Sequence, residues 1–258
     1  MTPSFVDTHC HFDFAPFCGD EANSLRLAAD AGVEKIIAVG VSADRFAGVM
    51  ALAERYLPVY ASLGIHPMAI AAYHESHLTQ LEGWLKKQPE KLVAIGEIGL
   101  DLYIDNPQFE RQQALLDDQL RLAKKYDLPV ILHSRRAHDK LAMHLRKHDL
   151  PRRGVVHGFA GSEQQALAFI RAGYAIGVGG TLTYPRATKT RNTLARLPLT
   201  SLLLETDSPD MPLQGFQGQP NRPERIKNVW RSLCDIRDES PQEIAETLRD
   251  NTRRLFHL

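Results

Sequence analysis

Along the chain, short runs of apolar, β-prone residues alternate with longer stretches whose apolar positions recur at helical spacing. The runs are residues 5–9, 35–41, 59–63, 92–96, 130–133, 154–157, 174–178 and 202–206. Several are apolar throughout, such as Ile36-Ile37-Ala38-Val39 and Leu202-Leu203-Leu204. That is the pattern of a strand covered on both faces in a parallel sheet. Between the runs stand helix signals. Ser162-Glu163-Gln164-Gln165 reads as a capping box, with Gly173 placed to end the same helix. Ser240-Pro241-Gln242-Glu243 combines a capping serine, a proline at the first helical position and a glutamate two further on. Asn106-Pro107 opens a stretch over 108–126 whose Leu115, Leu116, Leu120 and Ala123 share one stripe, and Asp127-Leu128-Pro129 stops it.

Eight strands alternating with helices in 258 residues predict an α/β protein, a (β/α)8 TIM barrel forming one domain over residues 1–258. The rival is an open doubly wound sheet. The count of eight, and the lack of a dinucleotide fingerprint after the first strand, favour the barrel. Gly177-Val178-Gly179-Gly180 does not fit G-x-G-x-x-G and reads as the seventh strand in close packing. Residues 209–223 read as an ordered surface loop.

Composition narrows the function classes. With 43% hydrophobic and 24% charged residues, the chain belongs with folded rather than disordered proteins. No apolar run reaches membrane-spanning length, and the N-terminus lacks the basic start and apolar core of a signal peptide. Lys+Arg and Asp+Glu both number 31, which counts against coating of duplex nucleic acid by bulk charge. The 3 cysteines form no C-x-x-C, so a disulfide framework or thiolate zinc site is not expected, and a reducing cytoplasm is the natural compartment.

The chemistry concentrates where a barrel keeps it, at the C-terminal ends of strands. His9 and His11 end the first strand, Glu97 follows the fourth, His133 the fifth, His157 the sixth and Asp207 the eighth. Residues two apart on extended chain share a side, so His9 and His11 can pinch one ion while Cys10 packs away from it. A carboxylate can bridge two cations, and Glu97 stands on the middle strand. Asp101 is an alternative ligand, better placed to position its loop. Glu205 competes with Asp207 and lies one pleat deeper, so Asp207 at the mouth is favoured. A donor set of imidazoles and carboxylates without thiolate suits zinc, manganese or a similar divalent ion. A two-metal hydrolytic centre explains why six ligands converge, with Asp207 able to accept the proton of the attacking water. Arg135 and Arg136 follow His133 and are candidate phosphate contacts. No Walker A loop and no G-x-S-x-G elbow is present. His74, His77, His138, His144, His148 and His257 read as ordinary surface residues.

Val6-Asp7-Thr8-His9-Cys10-His11, Leu63-Gly64-Ile65-His66-Pro67, Ala94-Ile95-Gly96-Glu97-Ile98-Gly99-Leu100-Asp101, Pro129-Val130-Ile131-Leu132-His133-Ser134-Arg135 and Leu203-Leu204-Glu205-Thr206-Asp207-Ser208-Pro209 together resemble the TatD family of metal-dependent deoxyribonucleases, within the amidohydrolase superfamily. The resemblance implies a barrel with two divalent ions (zinc, manganese, magnesium or nickel). It puts His9, His11 and Asp207 on one ion and His133 and His157 on the other, with Glu97 bridging, and makes Glu97 and Asp207 the catalytic carboxylates. It implies that His66 contacts substrate. It also implies a phosphodiesterase acting as a 3′→5′ exonuclease on single-stranded DNA ends or a nucleotide-like substrate, with no membrane and no obligate protein partner. The sequence departs from the family where a basic pair usually precedes Asn-x-Pro. Gln219 and Pro220 stand there, leaving Arg222 either as a replacement phosphate contact or as a solvent-facing residue. The alternative chemistry is an amide or ester hydrolase, such as an aminoacyl-tRNA deacylase, using the same centre.

Overall fold

The eight apolar runs become eight parallel strands, hydrogen-bonded in chain order, in a computed structural model that describes residues 3–258. They are β1 (Phe5–Cys10), β2 (Val33–Val39), β3 (Val59–Leu63), β4 (Leu92–Asp101), β5 (Val130–Arg135), β6 (Gly154–Val156), β7 (Ala175–Val178) and β8 (Leu202–Leu204). Around them lie α1 (Glu21–Asp30), α2 (Phe46–Arg55), α3 (Glu75–Lys86), α4 (Phe109–Lys125), α5 (His138–His148), α6 (Glu163–Arg171), α7 (Thr188–Arg196), α8 (Ile226–Cys234) and α9 (Pro241–Phe256). The expected TIM barrel is therefore what the chain forms. Between β8 and β1 a few single bonds close it. Thr8 Oγ1 donates to Leu204 O (3.0 Å), Asp207 N–H to His9 O (2.8 Å) and His11 N–H to Ser208 O (2.7 Å).

The helix signals act as their chemistry requires. Ser162 Oγ accepts the Gln165 N–H (3.2 Å) and Gln165 Oε1 accepts the Ser162 N–H (3.0 Å), satisfying two N–H groups at the start of α6. Gly173 follows α6 with a φ of 88°, a left-handed conformation that glycine adopts without penalty. Ser240 Oγ accepts the Glu243 N–H at the start of α9 (3.2 Å).

Strand alternation sorts the core into two sets. Ile36 and Ala38 face the helices, while Ile37 and Val39 join Ile131, Val155 and Leu203 inside the barrel, with Phe256 of α9 packed against them. Two residues beyond Ile131, Val155 and Leu203 come His133, His157 and Glu205. The pleat that buries the apolar interior thus points these three toward the mouth.

The largest boundary difference is in β4, expected to end at Gly96 but continuing to Asp101. Its last residues pair with β5, Gly99 with His133 and Asp101 with Arg135. The glycines that read as a strand end instead allow close contact: a Cβ on Gly99 would stand 1.9 Å from His133 O. Glu97 is consequently held inside a strand rather than on a loop.

His144 and His148 are not ordinary surface residues, being 5% and 9% exposed. From α5 both reach Asp117 Oδ1 on α4 (2.7 Å each), and Lys147 Nζ donates to Oδ2 (2.9 Å). Burial would raise the Asp117 pKa, but these donors outweigh it and hold it at about 2. The ionised carboxylate therefore stabilises the fold above the ordinary aspartate range and loses that contribution as pH falls through about 2. Asp117→Ala should lower the unfolding free energy by about 2 kcal/mol at neutral pH. Urea unfolding at pH 7 and near pH 2 should show the difference shrinking in acid, and an equal difference at both would exclude the ionic account. No helix among the described residues is long and apolar enough to cross a membrane.

Candidate metal centre

The strand ends converge on Glu97, which is 2% exposed. Its Oε2 faces one group, lying 3.2 Å from His9 Nε2 and 3.6 Å from His11 Nε2. Its Oε1 faces another, lying 2.7 Å from His157 Nε2, 3.0 Å from His133 Nδ1 and 3.1 Å from His66 Nε2. Asp207 Oδ1 completes the first group at 3.3 Å from both His9 Nε2 and His11 Nε2. Asp207 has a φ of 59°, in the left-handed region that aspartate tolerates better than most residues. Its N–H bond to His9 O ties that turn to β1. Below it, Asp7 accepts from Thr206 N (3.0 Å) and Thr206 Oγ1 (2.6 Å), fixing the chain where β8 meets β1.

The neighbours of each ring decide which nitrogen is free. His11 Nδ1–H donates to Val39 O (3.2 Å), leaving the Nε2 lone pair toward Asp207 and Glu97. His133 Nε2–H donates to Asp101 Oδ2 (2.8 Å), leaving Nδ1 toward Glu97. His66 is the reverse. Its Nδ1 accepts the Met68 N–H (2.9 Å), so Nε2 carries the proton and donates to Glu97. His66 is therefore a hydrogen-bond donor to the central carboxylate, and the structure sets it against Glu97 rather than out in the mouth.

Charge in the cage is tightly coupled. Burial would raise Glu97, but His66, His157 and His9 hold it well below the usual carboxylate range. Burial opposes charge on His11, yet Asp207 and Glu97 beside it push its pKa up to about 9. His157 is likewise raised, against burial, by Glu97 and Glu205. A cage that draws protons onto its imidazoles draws divalent cations for the same electrostatic reason, and the two compete.

The residues fit such cations. Both ring nitrogens of His9 are buried without a hydrogen-bond partner, although two carboxylate oxygens stand close to Nε2. Ligands about 2.1 Å from a shared ion lie about 3.0–3.4 Å apart, close to the donor separations found here. His9, His11 and Asp207 form one three-donor set, and Glu97 and His133 cluster with His66, whose own nitrogens are both engaged in hydrogen bonds. His9, His157 and Glu205 form a third. All six sequence-predicted ligands thus come together.

The basic residues divide. Arg135, two residues beyond His133, is exposed and rests its guanidinium 3.7 Å from the Tyr103 ring centroid, with Arg136 at 4.4 Å. Arg222 is engaged within the fold. Its Nε donates to Glu224 Oε1 (2.6 Å) and its Nη2 to Ser24 Oγ (3.0 Å), which holds the guanidinium against α1. Asp101 was expected to shape its loop and does, accepting the Tyr103 N–H (2.8 Å), but it also orients His133.

The comparisons agree with this geometry. Residues 6–257 match the family model described as TatD related DNase. YjjV of Escherichia coli K12, named a metal-dependent hydrolase, is 64% identical over 258 residues, covering 100% of both chains. The crystal structure of that TatD homologue matches with a TM-score of 0.98 at 63% identity, again over 100% of each chain. A Rahnella protein named 3′-5′ ssDNA/RNA exonuclease TatD is 31% identical and covers 94% of both chains. Because the matched span takes in every strand and every residue of the centre, the chain belongs to the TatD family of metal-dependent hydrolases.

Proposed function

We propose that this hydrolase cleaves phosphodiester bonds as a 3′→5′ exonuclease on single-stranded DNA ends, with two divalent ions in the cage. The observation that carries the proposal is the division of Glu97, one oxygen toward His9 and His11 and the other toward His133 and His157. His9, His11 and Asp207 would hold one ion, and His133 and His157 the other. Ions bound there would supply a water activated for attack and polarise the phosphoryl oxygen. Asp207, held ionised beside His9 and His11, is the carboxylate placed to accept a proton. His66 and Asp101 keep Glu97 and His133 oriented through the bonds described above. The substrate class is supported by the Rahnella relative's name and by exposed Arg135 at the mouth.

The test is to strip the protein with a chelator, reload it with manganese, zinc or magnesium, and add single strands labelled at either end. About two ions per chain, and mononucleotides released from the 3′ end after reloading alone, are expected. An ester and aminoacyl-ester panel runs beside the DNA, because a carbonyl responds to the same centre. Preferential turnover of that panel, with DNA left intact, would replace phosphodiester cleavage by the ester reading. Arg135→Ala should raise KM for the strand about tenfold with little change in kcat, because the guanidinium contacts a phosphate outside the bond being cut. An unchanged KM would remove Arg135 from the binding surface.

A further inference from the structure

One buried acid and one motif have no role in the chemistry above. Glu205 is 0% exposed. Its Oε1 accepts the Gly158 N–H (2.5 Å) and lies 3.6 Å from His157 Nδ1, a buried nitrogen with no hydrogen-bond partner. Its Oε2 has no partner either. Glycines wall this carboxylate. A Cβ on Gly177 would stand 2.4 Å from Glu205 Oε2, one on Gly179 would stand 3.4 Å from Oε1, and one on Gly158 would stand 3.8 Å from Oε1. The Gly177-Val178-Gly179 run therefore leaves a sleeve about as wide as a carboxylate.

Burying a carboxylate is expensive unless it is paired, so the sleeve needs a reason. His157 provides one. Its Nε2 is turned to the cation side, 2.7 Å from Glu97 Oε1. An imidazole that offers its lone pair at Nε2 keeps its proton at Nδ1, and a buried Nδ1–H needs an acceptor. Glu205 Oε1 stands beside that nitrogen, and a ring movement of a few tenths of an ångström closes the bond.

We infer that Glu205 is a positioning residue. It fixes the tautomer and orientation of His157 so that Nε2 is aimed at a divalent cation, and Gly177 of β7 with Gly179 just after it leaves the carboxylate room. The inference rests on the two-cation reading above, and its failure is separable from the failure of that reading.

The experiment titrates manganese into the stripped full-length protein against a fluorescent chelator. It compares wild type with Glu205→Gln, Gly177→Ala and Gly179→Ala. Wild type should take up about two ions. Glu205→Gln keeps an acceptor for Gly158 but loses the carboxylate. It should weaken one ion by about 10–100-fold, with full stoichiometry recovered at saturating manganese. Gly177→Ala should show the same loss. Gly179→Ala should show a smaller one, since its Cβ makes a contact that can relax. Circular dichroism matching wild type keeps the comparison among folded proteins, and Gly179→Ala serves if the harsher variants misfold. Wild-type affinity for both ions in Glu205→Gln would overturn the inference, as would a lowered melting temperature with unchanged affinity. Permanent loss of one ion would make Glu205 a ligand and equally overturn it. A wild type that takes up no ion would overturn the two-cation reading and this inference with it.

Discussion

Glu97→Gln should lower kcat on a single-stranded substrate by at least about a thousandfold and weaken both ions together. Each Glu97 oxygen faces a different set of imidazoles, so its carboxylate touches both halves of the cage. Glutamine keeps the shape and one acceptor oxygen. Its NH2 group has no lone pair to give, so one half faces a donor where it had an acceptor. The negative charge that the surrounding histidines hold ionised is also gone. Metal titration and single-turnover cleavage check the prediction. Loss of one ion with a rate within about tenfold of wild type would show that Glu97 serves only one half.

Asp207→Asn should lower kcat by about 10²–10⁴-fold while changing KM much less. Burial would raise the Asp207 pKa, but His11, His9 and His157 keep it below the ordinary aspartate range. The side chain is therefore an ionised proton acceptor at neutral pH. Asparagine is close in size, and the backbone bond from residue 207 to His9 O does not involve the side chain. The lesion should thus fall on proton transfer more than on folding. Steady-state kinetics on a labelled strand, with the melting temperature measured alongside, separates the two. A fall in kcat matched by loss of bound metal would instead make Asp207 purely a ligand.

The barrel and most of the convergent side chains were legible because they follow from period two; Glu97 is the exception, since Ile95 two positions before it packs on the helix side and β4 shifts its register against β5 between Ile95 and Ile98. Apolar residues alternate into the interior, and the next position on the same side at the strand end is the functional one, as with Ile131 and His133. What the sequence concealed depends on partners distant in the chain. Glycines 96 and 99 look the same whether they break a strand or press it against its neighbour, and only Ile131 and His133 across the gap show that they press. His66 faces Glu97 because the Met68 N–H occupies its other nitrogen, a bond made after the loop folds. Arg222 carried the right charge, and Glu224 and Ser24 hold it against α1. His144 and His148 sit four apart on α5, and the acid that buries them is on α4. Glu205 offered a usable signal, because its two-residue spacing from Asp207 puts it on the same inner side.

The seam between β1 and β8 has a consequence for how the protein is made. His9 and His11 emerge from the ribosome about 200 residues before Asp207. The bonds that bring them together span long separations, 196 residues between Thr8 and Leu204. Closing so large a loop comes late, after the local βα units have formed. A nascent or prematurely terminated chain can therefore display most of a barrel yet lack a complete cage. The set of side chains that meets at Glu97 is complete only once Asp207 has joined β1.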